Sequence, residues 1–330
     1  MLRAPQAAMK LETEARLAAP RLAVLIPCYN EEAAIGQTVA GFRAALPDAE
    51  IYVYDNNSRD GTFEVARAAG AIVGRELHQG KGNVVRRMFA DIDADVYVLV
   101  DGDATYDAPS AVSMVAKLVE ERLDMVVASR VDQEQAAYRL GHRFGNRVLT
   151  GFVTTVFGKS FSDILSGYRV FSRRFVKSFP VLSGGFEIET ELTVHALELG
   201  LPVAEVKTPY YARPEGSTSK LNTWRDGFRI LWTIARLYKS ERPLPFFATI
   251  GTLQASLAMI LAVPIFLTYM RLGTVPRLPT AILATGLMLL AFLSSVCGLI
   301  LGTVTRGRRE VKLLAYLSQS GHDRRSQPPL

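Results

Sequence analysis

Two carboxylates separated by one glycine, Asp101-Gly102-Asp103, follow directly on the apolar run Val96 to Val100. Both can reach one cation. Hard divalent ions such as Mg²⁺ or Mn²⁺ take a few carboxylates and complete their shell with ligand phosphate oxygens, and the glycine lets the backbone bend toward the ligand. Alone, such a pair reads equally as a solvated turn; its company weights it toward chemistry. The run Leu25-Ile26-Pro27-Cys28-Tyr29-Asn30-Glu31-Glu32 ends one apolar segment and opens a helix, and Tyr54-Asp55-Asn56-Asn57-Ser58-Arg59-Asp60-Gly61-Thr62 ends another in a polar turn. Asn30 and Asp60 read as helix caps. Asp55 falls at a strand terminus, where a buried carboxylate is costly unless its hydrogen bonds or charge are met, as a nucleobase or ribose edge would meet them. Gly80-Lys81-Gly82 opens a further helix with a lysine set against the helix dipole, which an anionic ligand would explain. His78, His142 and His195 show no metal-ligand spacing, and no Ser/His/Asp or Cys/His arrangement stands out.

The elements that must position these residues follow from hydrophobic periodicity. Leu22–Ile26, Ile51–Tyr54, Ala71–Val73, Val96–Val100 and Met125–Ala128 read as strands, with helices over Glu31–Leu46, Lys81–Ile92 and Ser110–Glu121. This alternation predicts an α/β fold with a mainly parallel sheet covered on both faces, in which ligands gather at the C-terminal strand ends. Beyond Arg130 the spacing predicts a basic helix over Arg139–Val156, a strand over Tyr168–Phe171, a helix over Glu187–Leu199, a strand over Val203–Thr208 and a loop over Tyr210–Lys220. Trp224, Phe228, Leu231, Ala235 and Tyr238 then recur at helical spacing. That amphipathic stretch reads either as a helix in the headgroup layer or as an ordinary core-facing helix.

The 330 residues carry 38 Lys+Arg against 32 Asp+Glu and are 49% hydrophobic. The apolar excess sits near the C-terminus, where 243–270 and 278–305 are two uncharged stretches of 28 residues each, both longer than the roughly 20 that a membrane-spanning helix needs. A wholly soluble enzyme, a disordered chain and a many-helix transporter are excluded. Residues 1–242 hold 30 basic and 30 acidic side chains, so the basic balance belongs to the anchor and tail and lends no support to nucleic-acid binding. The expected organisation is a lead-in without a secretion signal (1–20), a cytosolic domain (21–220), the amphipathic helix (221–242), two transmembrane helices within 243–305 (about 244–270 and 280–305) and a basic cytosolic tail (306–330). Arg236, Lys239 and Arg242 before the hairpin, with Arg306, Arg308, Arg309 and Lys312 after it, outnumber Arg271 and Arg277 in its turn, which puts the large domain in the cytoplasm. Two cysteines, Cys28 and Cys297, make no disulfide framework. An Ala- and Arg-rich composition points to a bacterial inner membrane, and the hairpin offers a surface for packing with copies of itself.

The order Ile-Pro-x-Tyr-Asn-Glu, Asp-x-x-Ser-x-Asp-Gly-Thr, Gly-Lys-Gly and Asp-x-Asp, spread over Leu22 to Arg130, resembles the family 2 glycosyltransferases of the nucleotide-diphospho-sugar transferase (GT-A, Rossmann-like) fold. Ala128-Ser129-Arg130, Arg143-Phe144-Gly145-Asn146, Ser166-Gly167-Tyr168-Arg169 and Arg213-x-x-Gly216-x-x-Ser219-Lys220-Leu221 are similar to the polyprenyl-phosphate, dolichyl-phosphate mannose synthase-like branch. The resemblance implies that Pro27, Tyr29, Glu31 and Asp55 line the nucleoside pocket with Lys81 nearby. It implies that Asp101 and Asp103, with Gly102 between them, hold Mg²⁺ or Mn²⁺ against the donor diphosphate. Arg130, Arg143, Ser166 and Arg169 then hold a lipid phosphate, and Arg213, Ser219 and Lys220 belong to a loop closing over the donor; Asp101, Asp103, Arg130 and Arg143 form the catalytic set. Each arginine also reads as a surface ion pair, although its fork suits bidentate phosphate contact.

Two departures stand out. Thr105 occupies the position where that branch often has a metal-proximal Gln, so Thr105 ligates weakly or acts, like Asp107, through water. Asn56 stands where many relatives have a second Asp, which leaves guanine and uracil both open. Glu187 and Glu191, one turn apart, read as sugar contacts or a base, or as a solvated acidic helix start.

The implied reaction moves a sugar from a UDP- or GDP-linked donor to a polyprenyl phosphate of undecaprenyl or dolichyl type at the bilayer surface. A phosphate monoester with a second pKa of about 6 is largely dianionic at pH 7 and needs no dedicated base. Direct attack at the anomeric carbon inverts its configuration. A processive polysaccharide synthase of the same fold would need Gln-x-x-Arg-Trp, which is absent; an inactive nucleotide-sugar-binding scaffold would not need both Asp101 and Asp103.

Overall fold

The computed structural model describes residues 20–132, 151, 161–185, 187–214, 232, 236 and 238–319. The helix expected over Arg139–Val156 lies outside them save Gly151, as do Arg143, Ser219, Lys220 and most of the 221–242 stretch. The chain forms two compact units, Met1–Gly227 with Lys312–Leu330, and Phe228–Val311.

In the first unit β1 (Leu22–Cys28) leads through α1 (Glu32–Ala45) to β2 (Glu50–Asp55), then α2 (Thr62–Ala68), β3 (Ile72–Arg75), α3 (Lys81–Asp91), β4 (Val96–Leu99), α4 (Ser110–Glu120) and β5 (Met125–Asp132). β6 (Arg169–Ser172), α5 (Arg173–Ser178), α6 (Ile188–Leu199) and β7 (Val203–Tyr210) complete it. The seven strands form one sheet in the order β3-β2-β1-β4-β6-β5-β7. β6 runs antiparallel to both β4 and β5, and the other pairs are parallel. β1 is buried from Ala23 to Cys28 and β4 throughout, as expected of near-continuous apolar strands covered on both faces. On one face Val24, Ile26, Val53 and Val98 meet Ile35, Val39 and Phe42 of α1 and Met114 and Leu118 of α4. The alternate strand residues face an aromatic layer in which Phe89 of α3 lies 6.3 Å from Tyr97 and 6.1 Å from Phe171, itself stacked on Phe175 at 4.7 Å.

Sequence periodicity misses α2 and α5, of seven and six residues, because neither completes two turns of amphipathic pattern. A local cap fixes α5, whereas the start of α2 is tied to the start of α1. Ser172 Oγ accepts the Phe175 N–H at 3.1 Å to start α5. Asp60 Oδ2 accepts the N–H of Glu32 at 3.3 Å, and Glu32 Oε2 accepts that of Gly61 at 2.9 Å. Asp60 therefore caps α1 across the sheet edge rather than its own helix alone. Asn30 is no cap: its backbone is left-handed (φ 52°), and its side chain accepts the Arg59 N–H at 2.8 Å.

The second unit is a helical hairpin built on α7 (Pro243–Leu272) and α8 (Leu278–Ser318). Both helices are long and apolar enough to cross a membrane, with mean hydropathy of 2.0 and 2.3 over their most apolar windows. Beyond Pro243 at the start of α7, their buried positions recur every seven residues within each helix and are small: Gly251 and Ala258 on α7, Ala284, Ala291 and Gly298 on α8. A Cβ on Gly251 would stand 2.9 Å from the Ala291 carbonyl, and one on Gly298 would stand 3.1 Å from Phe247 Cβ. Close backbone approach is how helices associate where lipid removes the hydrophobic drive. α8 does not stop where the tail was expected to begin; it runs on through Arg306 to Ser318.

Candidate active site

Parallel β1 and β4 lie side by side, yet the chain leaves β1 toward β2 and returns to β4 on the other side. Ligand crevices form at such a switch point, outside the carboxyl ends of the strands. Cys28 pairs in register with Asp55, and Asp101 follows β4 beside them. Gly102 packs under Cys28, where a Cβ would come within 2.5 Å of its Sγ. Thr38 Oγ1 donates to the Gly102 carbonyl at 3.3 Å. The carboxylate loop is stitched to the far half of the sheet as well: Tyr106 OH accepts the Gly167 N–H at 2.9 Å, and the Thr105 carbonyl accepts the Tyr211 N–H at 2.9 Å. Gly167 lacks a side chain because the Asp101 carboxylate fills the space a Cβ would take.

Lys81 Nζ donates to both Asp101 Oδ1 and Glu189 Oε1. Its placement rests on its two glycines, whose absent Cβ atoms let the start of α3 press against the backbone of Ser183 and Gly184, and on the left-handed φ of 127° at Gly80. The Asn56 amide braces the approach to that helix, donating to the carbonyls of Glu76 (2.9 Å) and His78 (2.8 Å) and accepting the Gly80 N–H (2.6 Å). Asp103 is held at both oxygens: Thr105 Oγ1 donates to Oδ1 at 2.7 Å, and Arg213 Nη2 lies 2.7 Å from Oδ2.

Burial alone would lower the Lys81 ammonium's pKa, but Asp101 and Glu189 outweigh it and the net direction is upward. Burial, then the neighbouring Asp101, raises the Asp103 carboxyl above its ordinary range against the pull of Arg213 and Thr105. A divalent cation placed between the two aspartates would meet that like-charge strain directly. Among the described residues no three His, Cys, Asp or Glu side chains gather into a ready-made cage. The donor set that does exist, two hard carboxylates beside cationic side chains, fits an ion of the Mg²⁺ or Mn²⁺ kind completed by phosphate oxygens.

Of the residues singled out from sequence, Pro27, Asp55, Gly102 and Asp103 are buried, and Tyr29 and Asp101 are partly exposed, along the ends of β1, β2 and β4. Asp55 accepts the Ser58 N–H at 3.2 Å, and Glu31 is buried with its N–H on Thr62 Oγ1 at 2.9 Å. Thr105, expected as a metal ligand, donates a hydrogen bond to Asp103 and orients it. Arg130 pairs with Asp163 through two bonds of 2.6 and 2.8 Å, which hold the Asp163 carboxyl below its ordinary range despite burial. Ser166 and Arg169 have no exposed surface. Arg169 donates to the carbonyls of Ser166 (2.9 Å) and Ile164 (2.5 Å) and to Thr193 Oγ1 (2.8 Å), and burial pushes its pKa down to about 10. A phosphate contact from this pair is therefore replaced by an internal strut that fixes the loop carrying Gly167. Glu191, partly exposed, accepts the N–H groups of Leu182 and Ser183 at its two oxygens, at 2.9 and 2.8 Å. Sequence reasoning missed Glu189, the carboxylate between Glu187 and Glu191; its one signal is an acid in the first turn of a helix on an otherwise buried face.

The family model for glycosyl transferase family 2 matches residues 23–179, which takes in every strand end described above except that of β7. Glycosyltransferase AglJ of Haloferax volcanii is 37% identical over 248 residues, covering 74% of this chain and 80% of that protein. A dolichyl-phosphate hexose transferase of the same organism is 28% identical over 222 residues, covering 67% of this chain and 95% of its own. Among solved structures, glucosyl-3-phosphoglycerate synthase from Mycobacterium tuberculosis, in complex with Mn²⁺, uridine diphosphate and glucosyl-3-phosphoglycerate, superposes with a TM-score of 0.53 at 24% identity, covering 69% of this chain and 82% of that one. The mainly parallel seven-stranded sheet is thus that of a GT-A glycosyltransferase, and the chain belongs to glycosyl transferase family 2.

Proposed function

We propose that the protein is a metal-dependent, inverting glycosyltransferase that moves a sugar from a nucleotide-diphospho-sugar to a polyprenyl phosphate at a membrane surface. The observation that carries this reading is the pair Asp101 and Asp103, each already facing a basic side chain, Lys81 and Arg213 respectively. Such a set attracts a divalent cation together with an anionic phosphate ligand. The Mycobacterium tuberculosis structure holding Mn²⁺ and uridine diphosphate, and the Haloferax volcanii relative named for dolichyl phosphate, support the donor and acceptor classes. The two long apolar helices support a lipid acceptor, and the basic flanks of the hairpin support a cytoplasmic side for the sheet domain.

In this reading Asp101 and Asp103 would hold the ion, which supplies charge stabilisation for the departing nucleoside diphosphate. Asp55 and Tyr29 lie where a nucleoside would enter beside them. Lys81 keeps Asp101 aimed while remaining charged, and Arg130 offers a guanidinium for the acceptor phosphate from the other half of the sheet. A phosphate acceptor is its own nucleophile, so no side chain has to remove a proton from it.

The test incubates the detergent-purified protein with Mg²⁺ or Mn²⁺, a short polyprenyl phosphate and a panel of UDP- and GDP-sugars, reading the lipid by mass. The expected result is a metal-dependent gain of one sugar, with the anomeric configuration opposite to the donor's. A retained configuration would sink the single-displacement mechanism, and nucleotide-sugar binding without any lipid product would sink the acceptor.

A further inference from the structure

Neither oxygen of Asp103 is unengaged: Oδ1 accepts from Thr105 and Oδ2 faces the Arg213 guanidinium at 2.7 Å. A hard divalent cation approaches a carboxylate oxygen to about 2.1 Å and takes the same lone pairs. Guanidinium and metal therefore compete for Oδ2. The two basic side chains on the metal carboxylates are not equivalent in their hold. Lys81 is 9% exposed, answers two carboxylates and is fixed by a helix start pressed against neighbouring backbone. Arg213 is 30% exposed and lies just beyond the end of β7.

We propose that Arg213 is a displaceable placeholder cation: it occupies Asp103 until a divalent ion and a diphosphate arrive together, then passes from the carboxylate to the diphosphate. The inference rests on the metal–diphosphate reading above and deepens it. Arg213 Nη2, 2.7 Å from Oδ2, already fills the position at that oxygen that a metal ion would take. Once the metal has the carboxylate, a guanidinium left beside it meets like charge, and the diphosphate supplies an anion that its fork can grip at two oxygens. Arg213 thereby lowers the affinity for metal alone and raises it for the nucleotide that follows.

Two affinities should then move in opposite directions. Mn²⁺ binding to the full-length protein in detergent is measured by the EPR signal of the free ion, without nucleotide, for wild type, Arg213→Gln, Arg213→Met, Arg213→Lys and Asp103→Asn. Loss of the competing charge-assisted bond should tighten Mn²⁺ binding about fivefold in both neutral variants, while Arg213→Lys stays near wild type and Asp103→Asn loses the ion. At saturating Mn²⁺, titration with UDP and with GDP in turn should show the tighter-binding nucleotide weakened at least about fivefold in the same two variants. Unchanged or weaker Mn²⁺ binding in either folded neutral variant, judged by its thermal midpoint, overturns the proposal. A wild type that binds Mn²⁺ no better than Asp103→Asn overturns both this inference and the metal reading, whereas opposed shifts in a protein that fails to glycosylate polyprenyl phosphate leave Arg213's role standing and remove only the acceptor.

Discussion

Asn56 shows how one side chain at a strand end sets a site it does not enter. Its amide donates to two carbonyls and accepts one N–H, so the loop before Lys81 hangs on a group that must be both donor and acceptor. An aspartate has no donors, and in Asn56→Asp a buried carboxylate would face two carbonyl oxygens. The expected cost is about 2–3 kcal/mol of stability, read as a lower denaturant midpoint, together with at least tenfold weaker nucleotide-sugar binding as Lys81 loses its support. A variant with wild-type midpoint and affinity would show the brace to be idle. Gly167→Ala tests the other side of the site: its Cβ falls on the Asp101 carboxylate, so activity should drop well over tenfold while the thermal midpoint shifts little. Asp55, Asp101 and Asp103 were singled out in the sequence because they stand where apolar runs stop, and Lys81 because it sits between two glycines at the opening of a helix. Ser166 and Arg169 were not, since nothing in their spacing says that a short antiparallel strand will bury them whole. Glu189 escaped because helical spacing favours Glu187 with Glu191, and only the three-dimensional position of Lys81 selects the residue between them.

At the scale of elements, alternation of apolar runs with amphipathic stretches foretells four strands and three helices of the first half to within a residue or two, as parallel sheets buried on both faces allow, whereas β5 runs four residues past the expected Ala128 to Asp132. The reversed direction of β6 has no such signature, because strand direction depends on connections and not on side-chain period. α6 carries a further consequence. His195 is buried between Phe175 and Phe179, with ring centroids 5.3 and 5.1 Å away, and burial pushes its pKa down to about 3. The folded state keeps the imidazole neutral, whereas the unfolded chain protonates it below about 6.5. Stability is therefore fully present above that value and declines as pH falls toward 3, by up to about 1.4 kcal/mol for each pH unit. Denaturant midpoints measured from pH 7.5 to 5 should fall for the wild type and fall less for His195→Gln. Parallel slopes would assign the loss to other groups. In the hairpin, the seven-residue recurrence of Gly251, Ala258, Ala284, Ala291 and Gly298 was available in the sequence but hidden by uniform hydropathy, which marks a span without marking its contact face.

At the scale of the whole molecule, the basic stretch after the second apolar segment is where charge counting and structure part company. Read by composition, Arg306 onward is a cytosolic tail; in the structure the residues from Lys312 belong with the sheet domain. Lys312 Nζ lies 2.7 Å from Glu198 Oε2, and Tyr316 OH donates to Asp124 Oδ2 at 2.8 Å, with the Arg174 guanidinium 5.6 Å from the Tyr316 ring. Asp124 is 4% exposed, and its other oxygen accepts from Ser172 Oγ, the cap of α5. Lys312 and Tyr316 thus meet two buried carboxylates, Glu198 and the second oxygen of Asp124, so the last turns of α8 work as a structural element of the fold. Tyr316→Phe should leave Asp124 short of one donor and cost about 1–2 kcal/mol. Lys312→Glu should repel Glu198 and cost a similar amount, recovered when Glu198→Lys is added, because the exchange restores the pair with its charges reversed. The readout is the thermal midpoint of the full-length protein in detergent, where each kcal/mol moves a domain of this size by about 2–4 °C. Recovery in the double variant would separate a specific contact from general damage at the end of the helix. Wild-type midpoints in all three would return residues 312–318 to the tail that composition describes.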